Sequence, residues 1–277
     1  MKGFFPNPVI IKEVRERFRT GKTAWILGAY LFIMGTILLG FIYLGPYQRS
    51  FFRPGESREM FTILSVIQLG MIGFIAPALT AGTISGERER QTLNILLTTH
   101  LTPFSIVASK LLTSLAFIGL LLVSSLPLYS FVFLYGGNSP EQLVKVFIFF
   151  AVNMVFFGSL GAFCSAWFKR TGVSTIVAYC LTFFIGVGSG FLVYFLWEFY
   201  RMMEWEREQS AFLQILAALN PGFVLGDILG EKVAPFPTYP VTPWILFSVV
   251  YLVMSILFVI AATNIVNPLR KRFAAKS

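Results

Sequence analysis

The sequence predicts an all-α, polytopic membrane protein with six transmembrane helices. Three observations carry that prediction. The 277 residues are 56% hydrophobic and only 13% charged, about half the charge that an ordinary soluble domain carries. Six apolar runs, Ala24–Leu44, Met60–Ile84, Leu111–Tyr135, Val146–Phe168, Val173–Trp197 and Trp244–Val266, each reach the roughly 20 residues that a helix needs to cross a hydrocarbon core. None of them contains Lys, Arg, Asp or Glu.

The chain opens with "FPNPVIIKEVRERFRTGK", which reads as an amphipathic helix within residues 1–23. Asn7 can cap it and Pro8 suits its first position. Ile11, Val14 and Phe18 share one face, and Glu13 precedes Arg17 by one helical turn, the favourable order for such a pair. A basic amphipathic helix leading into a span lies on the membrane surface, either as a topological anchor or as an elbow that also touches a partner. The first span is too long for the core of a cleaved signal peptide and lacks a small-x-small cleavage site.

Charge sets the orientation. The two termini and the second and fourth loops hold 15 of the 22 Lys and Arg residues but only 4 of the 13 acidic ones. The positive-inside rule then puts both termini in the cytoplasm of a multi-pass cell-membrane protein. Anionic lipid headgroups account for the net charge of +9, and no nucleic-acid partner is implied.

The second span runs into "ISGERERQTLNILLTT", Ile84 to Thr99, on the cytoplasmic side. Residues 85–99 can form a short helix with Leu93, Leu96 and Leu97 on one face, and Thr102–Pro103 signals the start of the next helix. Pro77 and Pro127 should kink the second and third spans. Small residues at Gly158–Ala162 and Gly186–Gly190 permit close helix contact. "KRTG" joins the fourth and fifth spans as a tight inner turn. The outer segment 198–243 is charged, then apolar, and is broken by Asn220, Pro221 and Gly222. It is too short to span and reads as a re-entrant or interfacial hairpin, or as a packed loop.

Catalytic chemistry is hard to find. The chain has no P-loop of its own, and His100 is its single histidine, so no His/Cys metal cluster can form and no metal or cofactor is expected on this chain. "VGSG" at 187–190 would need a histidine at its own depth to activate the serine. Cys164 and Cys180 sit inside spans as small packing residues. With no charged residue at membrane depth, ion coupling is disfavoured; Gln68, Asn153 and Asn264 read as interhelical hydrogen-bonding groups.

"ISGERERQTLNILLTTHLTPFSIVASK" resembles the loop between the second and third helices of ABC transporter permeases of the ABC-2 type. Glu87, Glu89, Thr92, Leu93, Leu96, Leu97, Thr98, Ile106 and Lys110 match that family's pattern, and the N-terminal stretch is similar to its elbow helix. The family often has Gly before the Thr, where this chain has Gln91. The resemblance implies a single permease domain, 1–277, with an elbow (1–23), a coupling-helix loop (85–103) and small outer helices within 198–243. It also implies a cytosolic ABC ATPase subunit as partner, which binds the ATP and magnesium, and a second permease copy or paralogue. On this expectation Glu87, Arg88, Glu89 and Arg90 dock to the ATPase, and Thr92, Leu93, Leu96 and Leu97 pass its movement to the second and third spans. Alternatively the charges pair with one another and with lipid. The chain would be no enzyme itself, and transport would be export. The rival functions are a sensing complex without net transport, a membrane enzyme, and a passive channel or scaffold.

Overall fold

A computed structural model describes residues 15, 21–44, 54–93, 102–134, 139–202, 211–231 and 242–267. Glu13, Arg17, Leu96, Leu97, Thr98 and His100 lie outside them. Every regular element among the described residues is helical, in the order α1 (Gly21–Leu44), α2 (Pro54–Thr80), α3 (Ser85–Glu89), α4 (Pro103–Ser124), α5 (Leu126–Leu134), α6 (Pro140–Trp167), α7 (Thr171–Phe183), a π-helical turn (Phe184–Gly188), α8 (Ser189–Met202), α9 (Ala211–Ala218), α10 (Pro221–Leu229) and α11 (Pro243–Val266). Six of the resulting helical units are long and apolar enough to cross a membrane.

Proline acts differently in the two spans where the sequence predicts kinks. Pro77 lies inside α2 without ending it. Pro127 lacks an amide hydrogen and crowds the preceding turn, and there the third span divides: α4 stops at Ser124 and α5 restarts at Leu126. Ser125 mends the break with its hydroxyl, which donates to the Leu122 carbonyl at 2.7 Å.

The bundle is organised around α6, which packs against α11, α2, α7, α4 and α10. Two thirds of this span (67%) is buried within the chain, against 17% of the first and 11% of the fifth. The first and fifth helices therefore flank the bundle with apolar faces that this chain leaves uncovered. Aromatic side chains zip α6 to α11, with Phe149 on Phe247 (5.2 Å between ring centroids), Phe156 on Tyr251 (4.0 Å) and Phe163 on Phe258 (5.4 Å). These five Phe residues thus have a packing role, while others such as Phe32, Phe183 and Phe191 are exposed.

Small residues set the closest approach. A Cβ built on Gly161 would stand 2.0 Å from Thr80 Oγ1, so the C-terminal ends of α2 and α6 meet only because position 161 has no side chain. Gly186, by contrast, has open space beside it. Among the polar residues in the spans, Gln68 accepts from the Tyr30 hydroxyl and links α1 to α2. Asn153 instead donates to the Phe149 carbonyl of its own helix at 2.9 Å, so its side chain bonds within α6. Cys164 is buried in the packing and Cys180 is exposed.

Candidate functional site

The charged turn follows α2 directly. Residues 81–84 form a turn, and the backbone amides of Ile84 and Ser85 both donate to Ser165 Oγ on α6, at 2.8 and 3.0 Å. Ser174 Oγ of α7 donates to the Ala81 carbonyl at 2.7 Å. A Cβ on Gly82 would meet the Thr171 methyl at 3.1 Å. The turn thereby sits where the fourth span ends and the fifth begins, before any charge is considered.

The charges then take specific partners. Arg88 donates to the carbonyls of Ala166 (3.1 Å) and Phe168 (3.3 Å), at the C-terminus of α6. Glu89 accepts from the backbone amide of Thr171 (2.9 Å) and from its hydroxyl (2.7 Å), at the N-terminus of α7. Helix C-termini present orphan carbonyls and partial negative charge, and N-termini present orphan amides and partial positive charge. Arg170, the N-cap residue of α7, supplies no side-chain cap of its own. Two adjacent residues of opposite sign therefore complete the end of one helix and the beginning of the next.

Glu87 turns the other way, to Lys110 of α4 at 2.8 Å, a pair only 28% and 12% exposed respectively, and to the Thr92 hydroxyl. Both carboxylates lie beyond the apolar run that ends at Ile84, and both are held below the usual carboxylate range. At Glu87 burial pushes upward, but hydrogen bonds from Lys110 and Thr92 and the charges of Lys110 and Arg90 outweigh it. At Glu89 the hydrogen bonds from Thr171 dominate. Leu93 is buried with Ile84, Val107, Ala166, Ala262 and Val266, where the ends of four spans meet. Arg90 and Gln91 are exposed.

Gln91 has φ of 58°, the single positive-φ non-glycine among the described residues. This is the position where the ABC-2 pattern often carries Gly, and the left-handed region costs an L side chain roughly 1–2 kcal/mol. Gln91→Gly should raise stability by up to about 1 kcal/mol, once glycine's greater freedom in the unfolded chain is discounted. Chemical denaturation in detergent would detect it, and an unchanged or lower midpoint would contradict the strain.

Toward the other end, α9 and α10 are bent by 78°. Asn220 stands at the bend, 2% exposed. Its carbonyl oxygen caps α10 by accepting from the amides of Gly222 (2.8 Å) and Phe223 (3.1 Å). Its amide nitrogen donates to the Gly186 carbonyl (2.9 Å) and to Ser189 Oγ (2.8 Å). A π turn disturbs the regular carbonyl-to-amide ladder, and Asn220 serves a carbonyl within that turn. The C-terminus of α10 is held by Arg58, which donates to the Leu229 carbonyl at 2.9 Å, and by Gln142, which donates to Ile228 at 3.0 Å. Pro221 and Gly222 also border an apolar groove of about 350 Å³ between α2 and the fifth span, lined further by Gly73, Phe74, Tyr179 and Gly186.

The structure thus brings Glu87, Arg88, Glu89, Thr92 and Leu93 together, and joins Asn220 to the fifth span. Sequence reasoning left out Ser165, Thr171 and the carbonyls of Ala166 and Phe168. The one available signal was the "KRTG" turn, too short to cap both helices that it joins.

Six membrane-length helices, one of them buried among the others, with charge gathered at the helix ends, define a polytopic integral membrane protein. A sequence model described as "ABC-2 family transporter protein" matches residues 8–263, and the chain belongs to that family. It is accordingly a membrane permease subunit of an ABC transporter, and the family works with a separate cytosolic ATPase. No curated protein matches the chain.

Proposed function

We propose that this chain is the permease of an ATP-driven exporter, paired with a second permease and driven by cytosolic ATPase subunits that dock at segment 85–103. The observation that carries this reading is the inner turn, whose contacts reach the second, third, fourth, fifth and sixth spans. A partner that moved this turn would move most of the bundle. Both termini are cytoplasmic in this reading, and ATP with its magnesium binds the partner. The uncovered faces of the first and fifth helices are shared between lipid and the second permease. Glu87, Arg88 and Glu89 hold the turn in shape; Thr92 and Leu93 fasten its far side.

The bent pair α9–α10 is re-entrant in this reading. Two independent rulers support that depth. Asn220 meets the fifth span at Gly186, about 22 Å along the helix from Thr171 at 1.5 Å per residue. The Tyr251 hydroxyl donates to the Leu219 carbonyl, and Tyr251 stands about 12 Å below Pro243. Together these lengths approximate the roughly 30 Å of a hydrocarbon core. The groove beneath the hairpin tip is apolar and would suit a hydrophobic or amphipathic cargo.

The test is purification of the tagged full chain from its native membrane in mild detergent. A soluble ATPase recovered in stoichiometric amount, with nucleotide-dependent movement of cargo after reconstitution, is the expected result. A folded chain that never retains an ATPase would overturn the reading.

A further inference from the structure

The sequence displays alternating charge at 87–90, a pattern that suits a partner of mixed sign. The structure redistributes it. Glu87 is engaged by Lys110 and Thr92, and both oxygens of Glu89 are engaged by Thr171. Arg88 is directed to backbone carbonyls. The exposed charges that remain nearby are Arg90, Lys169 and Arg170, two of them from a turn about eighty residues later in the chain. Arg170 lies close enough to Glu89 for its charge to favour the ionised carboxylate, so the two turns adjoin.

They are also joined mechanically. Six hydrogen bonds, donated by the Ile84 and Ser85 amides, by Arg88 and by Thr171, join the 84–89 segment to the stretch 165–171, and the Ser85 and Ser165 hydroxyls pair as well. Surfaces already held in one geometry lose less freedom on docking.

We infer that residues 84–91 and 167–171 form one composite docking surface, with Arg90, Lys169 and Arg170 as its charged contacts, and that it recognises an acidic patch on the ATPase. This rests on the coupling role proposed above. An anionic headgroup layer fits less well, because Glu89 is itself exposed among the three cations and like charge opposes such a layer. A folded protein surface can place its acids around that carboxylate. Charge of this kind steers and registers docking, and it weakens with salt.

The experiment measures ATPase retention on the full-length tagged chain in detergent without added anionic lipid, at about 0.1 M and about 0.5 M salt, where screening differs strongly. The variants are R90E, K169E/R170E, the triple reversal, and the charge-keeping R90K/K169R/R170K. All four change exposed side chains, and unfolding midpoints check that each remains folded. Exposed ion pairs are individually weak, and the triple reversal should lower retention by about tenfold at low salt and by less at high salt. K169E/R170E alone should lower it measurably, and the charge-keeping variant should match wild type.

Retention unchanged in the folded triple variant overturns the inference. Loss with R90E but none with K169E/R170E overturns the composite surface. Unchanged retention, combined with lost dependence of ATPase activity on anionic phospholipid in vesicles, assigns the patch to headgroups and also overturns it. If wild type itself retains no ATPase, the coupling role fails first, which separates the two failures.

Discussion

Gly161→Ala is expected to lower stability by about 2–3 kcal/mol, the upper part of the roughly 1–3 kcal/mol that forcing atoms into a filled interface costs. The added Cβ would lie 2.0 Å from Thr80 Oγ1, 3.2 Å from Thr80 Cβ and 3.3 Å from the Ala81 amide nitrogen. Thr80 cannot easily turn aside, because its hydroxyl donates to the Ala76 carbonyl at 2.8 Å. The C-terminal ends of α2 and α6 would have to separate, and the turn carrying Glu87–Arg90 begins just beyond that contact. Removing the obstructing oxygen should restore part of the loss. Gly161→Ala with Thr80→Ala should show a coupling of about 1 kcal/mol or more in a double-mutant cycle of denaturation midpoints. A single mutant as stable as wild type would mean that the helices are not held this closely.

Asn220→Ala should cost a similar amount, about 2–4 kcal/mol. It removes an N-cap worth roughly 0.5–2 kcal/mol and takes the donor from the half-buried Gly186 carbonyl, a loss that for a fully buried group is about 1–3 kcal/mol. Asn220→Asp separates the two contributions: the carboxylate can still accept from Gly222 and Phe223 but cannot donate to Gly186. An aspartate no more stable than the alanine would assign the larger share to the bond with the π turn. An alanine variant within about 0.5 kcal/mol of wild type would remove Asn220 as the tie between the hairpin and the fifth span.

Most of the architecture was legible because its causes are local. Uninterrupted apolar runs give the six spans, and the break read at Asn220–Pro221–Gly222 is where α10 begins. The small residues of α6 announce close contact, but nothing in the sequence says that Thr80 is what Gly161 meets. The one-residue interruption of the third span at Ser125 is the local disturbance that Pro127 predicts, and Pro103–Leu134 remains one membrane-length unit. The inner turn was legible as important and not in its wiring. Arg88 and Glu89 find partners about eighty residues away, and two of those partners are main-chain carbonyls, which leave no mark in a sequence. The strain at Gln91 had a trace: glycine is common at that position in the ABC-2 pattern because it accepts a left-handed backbone without cost.

Arg88 and Glu89 finish one helix and start another that are distant from them in sequence. A loop grafted from a relative would arrive with charges suited to helix ends left behind in the donor. Residues 84–93 are therefore interchangeable only together with 165–171. In chimeras of ABC-2 permeases built on this chain, those two stretches constitute the smallest cassette that can be exchanged without orphaning a helix terminus.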